Sequence, residues 1–353
     1  MAETEVAASG GELRYSHRNP GESIVEADHP LHPDIAKSMK HPLLAALLAT
    51  TPLHAGNPVI TDVFTADPAP LVVGDTVYLY CGQDEAKENE NYKMFRWLCY
   101  SSKDMKTWKA EGSPLNPKDF KWAVGDAWAS QVIERDGKFY WYAAVQHDNS
   151  HHGKAIGVAV ADKPTGPFVD ARSSALVTND MTTATKISWD DIDPTVWIDD
   201  DKQAWLFWGN QKCYYAKLKP NMTELDGPIV VIPDEQVKGF TEAPWIHKHG
   251  DMFYLSYATG FPEKISYSVS RKLTGPWKPQ GLLAEGAFNS NTIHQGIITF
   301  KGKDYFFYHN GSIQSPNTGG SFRRSVCIEE LHYEADGRLK RVVQTTEGLD
   351  ASR

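Results

Sequence analysis

Four cysteines in 353 residues are too few and too scattered to organise this chain. Cys81, Cys99, Cys213 and Cys327 form no CxxC pair, which argues against a zinc ribbon and a thioredoxin-type redox site. Three of them sit in strand-like runs (TVYLYCG, FRWLCYSS, SVCIEEL), where a small buried hydrophobe is expected. Long apolar runs are also lacking. No stretch of roughly eighteen apolar residues exists, so no membrane-spanning helix is expected. Basic charge is short: 36 Lys and Arg face 45 Asp and Glu, for a net charge of −9. A phosphate backbone needs a basic face, so nucleic acid is not the expected partner. No long helical pattern interrupts the sequence. What it holds instead is 11 Trp, 15 Tyr and 14 Phe among 27 Gly and 21 Pro, a composition that reads as many short strands joined by turns. At 41% hydrophobic residues the chain can bury a substantial core.

The N-terminus differs from the rest. Residues 1–38 are polar, without a clear period, and read as a poorly ordered extension or as the product of an upstream start. Met39-Lys40-His41, the apolar stretch Pro42–Ala49 and the tripeptide Leu53-His54-Ala55 then have the layout of a secretory signal peptide. The mature chain would begin near Gly56 and be secreted or periplasmic. The other reading of residues 39–55 is an amphipathic surface helix.

From residue 57 one pattern recurs five times: a polar or acidic opening, an apolar run, a Gly/Asp-rich turn and an aromatic strand. The copies are DPAPLVVGDTVYLY (Asp67–Tyr80), DAWASQVIERDGKFYWY (Asp126–Tyr142), DPTVWIDDDKQAWLFW (Asp193–Trp208), EAPWIHKHGDMFYLSY (Glu242–Tyr257) and HQGIITFKGKDYFFY (His294–Tyr308). Each reads as a β-hairpin. A third strand follows in YSSKDMKTW, AVADKPTGPF and YSVSRKLTGPW, each ending in a turn that delivers an aromatic. Hairpin, third strand and an edge strand make a four-stranded blade. Five blades of about fifty to sixty residues, set radially, predict an all-β five-bladed β-propeller over residues 56–353. A β-sandwich is the rival, but it needs no such period.

In a propeller the first strand of each blade lines the central channel, so the five openings converge on one face. They carry Asp67, Asp126–Trp128, Asp193, Glu242 and His294. Carboxylates at equivalent places of different repeats are not what packing asks for. Pro68, Pro194 and Pro244 stiffen the backbone just beyond three of them. Two carboxylates across a sugar are the working parts of glycoside hydrolysis. One is protonated to serve the leaving oxygen and one ionised to activate water, and a third can raise the pKa of the acid. The other reading is a ring of structural carboxylates that cap turns or bind a metal.

The motifs TADPAP, DAWASQ, IDPTVWIDDD, TEAPWIHK, IHQGIITFKGKDYFFYHNG and GGSFRRSV, in this order from about Asn57 onward, resemble glycoside hydrolase family 43, most closely its β-xylosidase and α-L-arabinofuranosidase branch. The resemblance implies Asp67 as general base, Glu242 as general acid and Asp193 as modulator of the acid's pKa, with inversion at the anomeric carbon. It implies exo-action on terminal β-D-xylose or α-L-arabinofuranose of xylan, arabinoxylan or their oligosaccharides. Arg324 would hydrogen-bond the terminal sugar, with Arg323 as the competing neighbour. Trp128 would pack against the sugar face or in the core. His294 would face a calcium ion held largely by water, or be a hydrogen-bonded core histidine, since calcium prefers oxygen ligands. No organic cofactor is implied.

Asp199-Asp200-Asp201 falls at a hairpin tip and reads as a solvated turn. His151-His152 lies in a polar loop. Asn221-Met222-Thr223 and Asn310-Gly311-Ser312 fit the N-glycosylation triplet, which is common by chance. Rival functions are a fructan-acting propeller, which carries Arg-Asp-Pro where this chain has Ile192-Asp193-Pro194, an endo-arabinanase, and a carbohydrate-binding propeller that would not need three acids.

Overall fold

The computed structural model describes residues 56–87, 90–313 and 320–350; residues 1–55, including the expected signal segment, lie outside the described residues. The strands form five antiparallel sheets in chain order. Blade 1 is β1 (Thr65–Val73), β2 (Thr76–Gln83), β3 (Trp97–Ser102) and β4 (Lys109–Gly112). Blade 2 contains β5 (Ala123–Gly125), β6 (Ser130–Arg135), β7 (Lys138–His147), β8 (Lys154–Ala161), β9 (Val169–Asp170) and β10 (Val177–Thr178). Blade 3 is β11 (Thr195–Ile198), β12 (Ala204–Trp208), β13 (Tyr214–Leu218) and β14 (Val230–Val231). Blade 4 is β15 (Phe240–His249), β16 (Met252–Thr259), β17 (Lys264–Ser270) and β18 (Lys278–Ala284). Blade 5 is β19 (Gly296–Phe300), β20 (Lys303–Asn310) and β21 (Ser325–Leu331). This is a five-bladed β-propeller.

Local chemistry explains the hairpins. Val73 pairs directly with Thr76 across the two-residue turn Gly74-Asp75, and Gly74 takes a left-handed φ of +60° that glycine adopts without a Cβ penalty. The third strands lie where the repeats place them, and the aromatics they deliver, Trp108, Phe168 and Trp277, are buried. Aromatic rings then join one blade to the next. Tyr80 meets Trp141 edge to face at 4.8 Å, Trp197 meets Phe253 at 6.2 Å, and Trp108 meets Phe307 at 6.2 Å. The innermost strands of blades 1 and 5 approach so closely that a Cβ on Gly296 would lie 2.4 Å from Pro70 Cδ.

Two blades depart from the expected four strands. Blade 2 carries extra short strands at its edges, and blade 5 has three. In blade 5 the start of the propeller runs beside β21. The Val59 amide donates to the Val326 carbonyl at 2.8 Å. The Asn57 side chain brackets Ile328, accepting from its N–H at 2.8 Å and donating to its carbonyl at 3.2 Å. The two ends of the propeller thereby close the ring. The four cysteines are buried and unpaired. Among the described residues, no helix is long and apolar enough to cross a membrane.

Candidate active site

Four of the five blade openings share a backbone feature. Asp67, Asp126 and Asp193 adopt φ of +55°, +64° and +58°, and Ala243, directly after Glu242, adopts +56°. Left-handed non-glycine residues cost on the order of 1 to 3 kcal/mol each and persist only where the surroundings impose them. Pairing slips at the same places, between Ala66 and Ala69 and between Glu242 and Trp245. Bulges of this kind re-aim side chains. Asp67, Asp193 and Glu242 line one pocket together with His294, Arg324 and Trp128, so the structure gathers every site residue expected from the sequence.

Asp67 is held ionised. Arg324 Nη1 donates to Asp67 Oδ1 at 3.0 Å, while its Nε and Nη2 donate to buried Asp84 at 2.9 and 3.0 Å. The Arg324 guanidinium also faces the Tyr92 ring at 5.1 Å. Burial pushes the Asp67 carboxyl up, but the Arg324 charge pulls it down, and Asp67 is held well below the usual carboxylate range. The Asp67 N–H donates to His309 Nδ1 at 3.2 Å, which assigns the neutral ring as the Nε2–H tautomer, donating to the Thr292 carbonyl at 3.1 Å. Arg324, rather than Arg323, is therefore the arginine in the site, and most of its donors are spent on carboxylates.

Glu242 is treated in the opposite way. It is pushed above the ordinary carboxyl range by burial and then by the negative charge of Asp67. Its Oε2 accepts a 2.6 Å hydrogen bond from the Asn210 amide. Asp193 Oδ2 accepts the Ala243 N–H at 2.9 Å, so it grips the residue next to Glu242. Asp193 is itself raised, by burial and then by Glu242 and Asp67. A further buried carboxyl, Glu263, lines the same pocket as Glu242.

Asp126, the fourth opening carboxylate, does another job. It pairs with buried Lys154, whose Nζ sits 3.5 Å above the Trp128 ring. Trp128 is thus pinned from one side by a cation and presented to the pocket. His294 is buried, with Nδ1 3.9 Å from both Asp67 Oδ1 and Asp193 Oδ2. Burial pushes its pKa down to about 4, so it is neutral at ordinary pH. Calcium takes six to eight oxygens. Among the described residues no three ligating side chains come together to hold a metal, and His294 offers a nitrogen. The donor set does not fit a protein-built calcium cage, and no chemical step is derived through a metal.

The sequence reading missed Asp84, Asn210, His309 and Glu263. A signal for the first three was present: in a hairpin, the exit of the second strand meets the opening of the first. Asp84 follows β2, Asn210 follows β12, and His309 is near the end of β20. The secondary features resolve plainly. Asp200 and Asp201 are exposed at the β11–β12 turn. His151 is exposed and contacts Asp180 at 3.1 Å. Asn221 is exposed, whereas Asn310 is buried with its carbonyl oxygen engaged by Ser312, a poor glycan acceptor.

The pocket encloses about 280 Å³, with carboxyls on its floor and Tyr92, Trp128, Trp189 and Phe261 among its walls. Residues 55–339 match the family described as Glycosyl hydrolases family 43. The chain belongs to glycoside hydrolase family 43. It is 31% identical over 333 residues to a xylosidase/arabinosidase of Bacteroides ovatus, covering 81% of this chain and 96% of that protein. It is 28% identical to a β-xylosidase of Xylanibacter ruminicola, covering 79% of this chain and 97% of that protein. Among solved structures, a family 43 β-xylosidase/α-arabinofuranosidase from a compost microbial metagenome, in complex with xylotriose and in a calcium-free form, superposes with a TM-score of 0.72 at 26% identity, covering 82% of this chain and 97% of the other. Membership in family 43 makes this propeller a glycosidase, and in its pocket Asp67 and Glu242 are shifted in opposite directions.

Proposed function

We propose that this family 43 chain is an exo-acting, inverting glycosidase that releases terminal β-D-xylose or α-L-arabinofuranose from xylan, arabinoxylan and their oligosaccharides. The observation that carries it is the pocket: about 280 Å³, smaller than a typical ligand site, with both working carboxyls at its floor. That volume suits one terminal sugar ring. An open groove for an endo-arabinanase would run past the acids, and a binding module would have no use for one ionised and one protonated carboxyl. In this reading Asp67 takes a proton from water as the water attacks the anomeric carbon. Glu242 gives its proton to the glycosidic oxygen as that bond breaks. Asp193 orients the acid through the Ala243 amide and, when ionised, raises its pKa. Trp128 packs against the sugar, and the Arg324 Nη1 donor not used on Asp67 reaches its hydroxyls. The calcium expected beside His294 has no protein-built cage to support it and enters no step.

Residues 39–55 support export, so the proposed compartment is extracellular or periplasmic, where plant polysaccharide is met. The test of the function is product analysis on xylo-oligosaccharides and arabinoxylan. Monosaccharide from the first minutes supports the reading; a ladder of oligomers points to an endo-enzyme, and no product points to a binding protein.

A further inference from the structure

Glu263 stands two residues beyond Phe261, at the turn that leads from β16 into β17, so it approaches the site from the same blade as Glu242 but from a different strand connection. It is 3% exposed. Its Oε2 accepts the Ile293 N–H at 3.0 Å, and its own N–H donates to the Asn291 carbonyl at 2.9 Å. Among the described residues no ion pair reaches it. An ionised carboxylate buried with one backbone donor and no cation beside other carboxylates would be costly. Two carboxyls can hydrogen-bond only if one of them carries a proton. Glu263 and Glu242 line the same pocket, and a hydrogen bond between them there needs a proton on one of the two.

We propose that Glu263 is a neutral carboxylic acid whose hydroxyl donates to Glu242 and stabilises the carboxylate that Glu242 becomes on protonating the leaving group. The inference rests on Glu242 as general acid and makes Glu263 a positioning residue. The proton balance is closed. The Glu242 proton passes to the glycosidic oxygen, which keeps the electron pair of the broken bond. The water that attacks the sugar loses its proton to Asp67. Glu263 keeps its own proton throughout, and its hydrogen bond strengthens as charge appears on Glu242. The need for such a donor follows from the surroundings. Glu242 is buried and faces the negative charge of Asp67, which weakens it as an acid; Arg324 is committed to Asp67 and Asp84, His294 is neutral, and Asn210 is a single uncharged donor. Burial and then the Glu242 charge push the Glu263 carboxyl up to about 10, in line with its staying protonated through the working range.

The test compares Glu263→Gln with Glu263→Leu in the full-length protein. Glutamine keeps both a donor toward Glu242 and an acceptor for Ile293; leucine keeps the volume and loses both. On xylobiose, kcat/KM is expected to fall about threefold for Glu263→Gln and about tenfold to a hundredfold for Glu263→Leu. The basic limb of the Glu263→Leu profile should move up by about one pH unit, because the Glu242 anion loses its donor. The limb of Glu263→Gln should stay in place. Equal losses with both limbs unmoved would overturn the proposal and leave Glu263 a packing residue. A second readout needs no activity. A carboxyl raised in the fold stabilises fully below its unfolded pKa, and that contribution is lost as pH rises through its folded value near 10. Wild type should thus lose thermal stability relative to Glu263→Gln between pH 5 and 9, as roughly the linkage relation requires. A constant difference across that range would show Glu263 ionised and overturn the proposal. A growing difference in a protein inactive on every pentoside would support the neutral carboxyl and overturn the glycosidase reading instead.

Discussion

Asp67 and Glu242 carry the same functional group and are shifted in opposite directions by their neighbours. The Arg324 guanidinium contacts Asp67, while Glu242 has only neutral donors and faces negative charge. Removing the guanidinium should expose this dependence. Arg324→Met should raise the Asp67 pKa, so the acidic limb of kcat/KM moves to higher pH, by about one to two units. A pH–rate series in which only the height of the profile drops would show that Arg324 serves binding alone. Glu242→Gln should abolish hydrolysis of xylobiose, by roughly a hundredfold to ten-thousandfold, and spare nitrophenyl pentosides more, because a good leaving group needs little protonation. Equal losses on the two substrates would remove the acid role. In the proposed role Asp193, when ionised, raises Glu242, so in Asp193→Asn the basic limb should move to lower pH as the rate falls. Weaker substrate binding with an unmoved limb would make Asp193 a sugar ligand. The three acids were legible because they open equivalent repeats. Glu263 was not, because it sits in the turn Gly260-Phe261-Pro262-Glu263 outside the repeated hairpin, and nothing in that string distinguishes a buried carboxyl from a surface one.

At the scale of the element, the aromatic hairpins and third strands read directly from alternation and turn chemistry. The bulges did not. A left-handed aspartate before proline leaves no compositional trace, yet Asp67 and Asp193 owe their inward aim to that conformation. The closure of the ring was equally hidden, since it depends on Asn57 reaching a strand 271 residues away. Asn57 also donates to Glu329 at 2.9 Å and to the Thr345 carbonyl at 3.0 Å. Asn57→Ala removes four hydrogen bonds at the seam and should destabilise the propeller by about 1 to 3 kcal/mol. The change would appear as a lower urea midpoint with an unaltered slope, and a midpoint equal to wild type would show that the seam is held elsewhere.

For the whole molecule, the fivefold period of hairpins specified the architecture, because only a radial arrangement lets five equivalent openings meet. The depth of the pocket was beyond such reasoning: Trp189 and Phe261, exposed at its wall, come from connections that no repeat constrains. The proposed reaction pairs an ionised base with a protonated acid across one sugar, with water between them. Its most direct test is the configuration of the first product. Proton NMR during the first turnovers on a β-xyloside should show α-xylose appearing before mutarotation, and β-xylose as the initial product would contradict the assignment of Asp67 as a base acting through water.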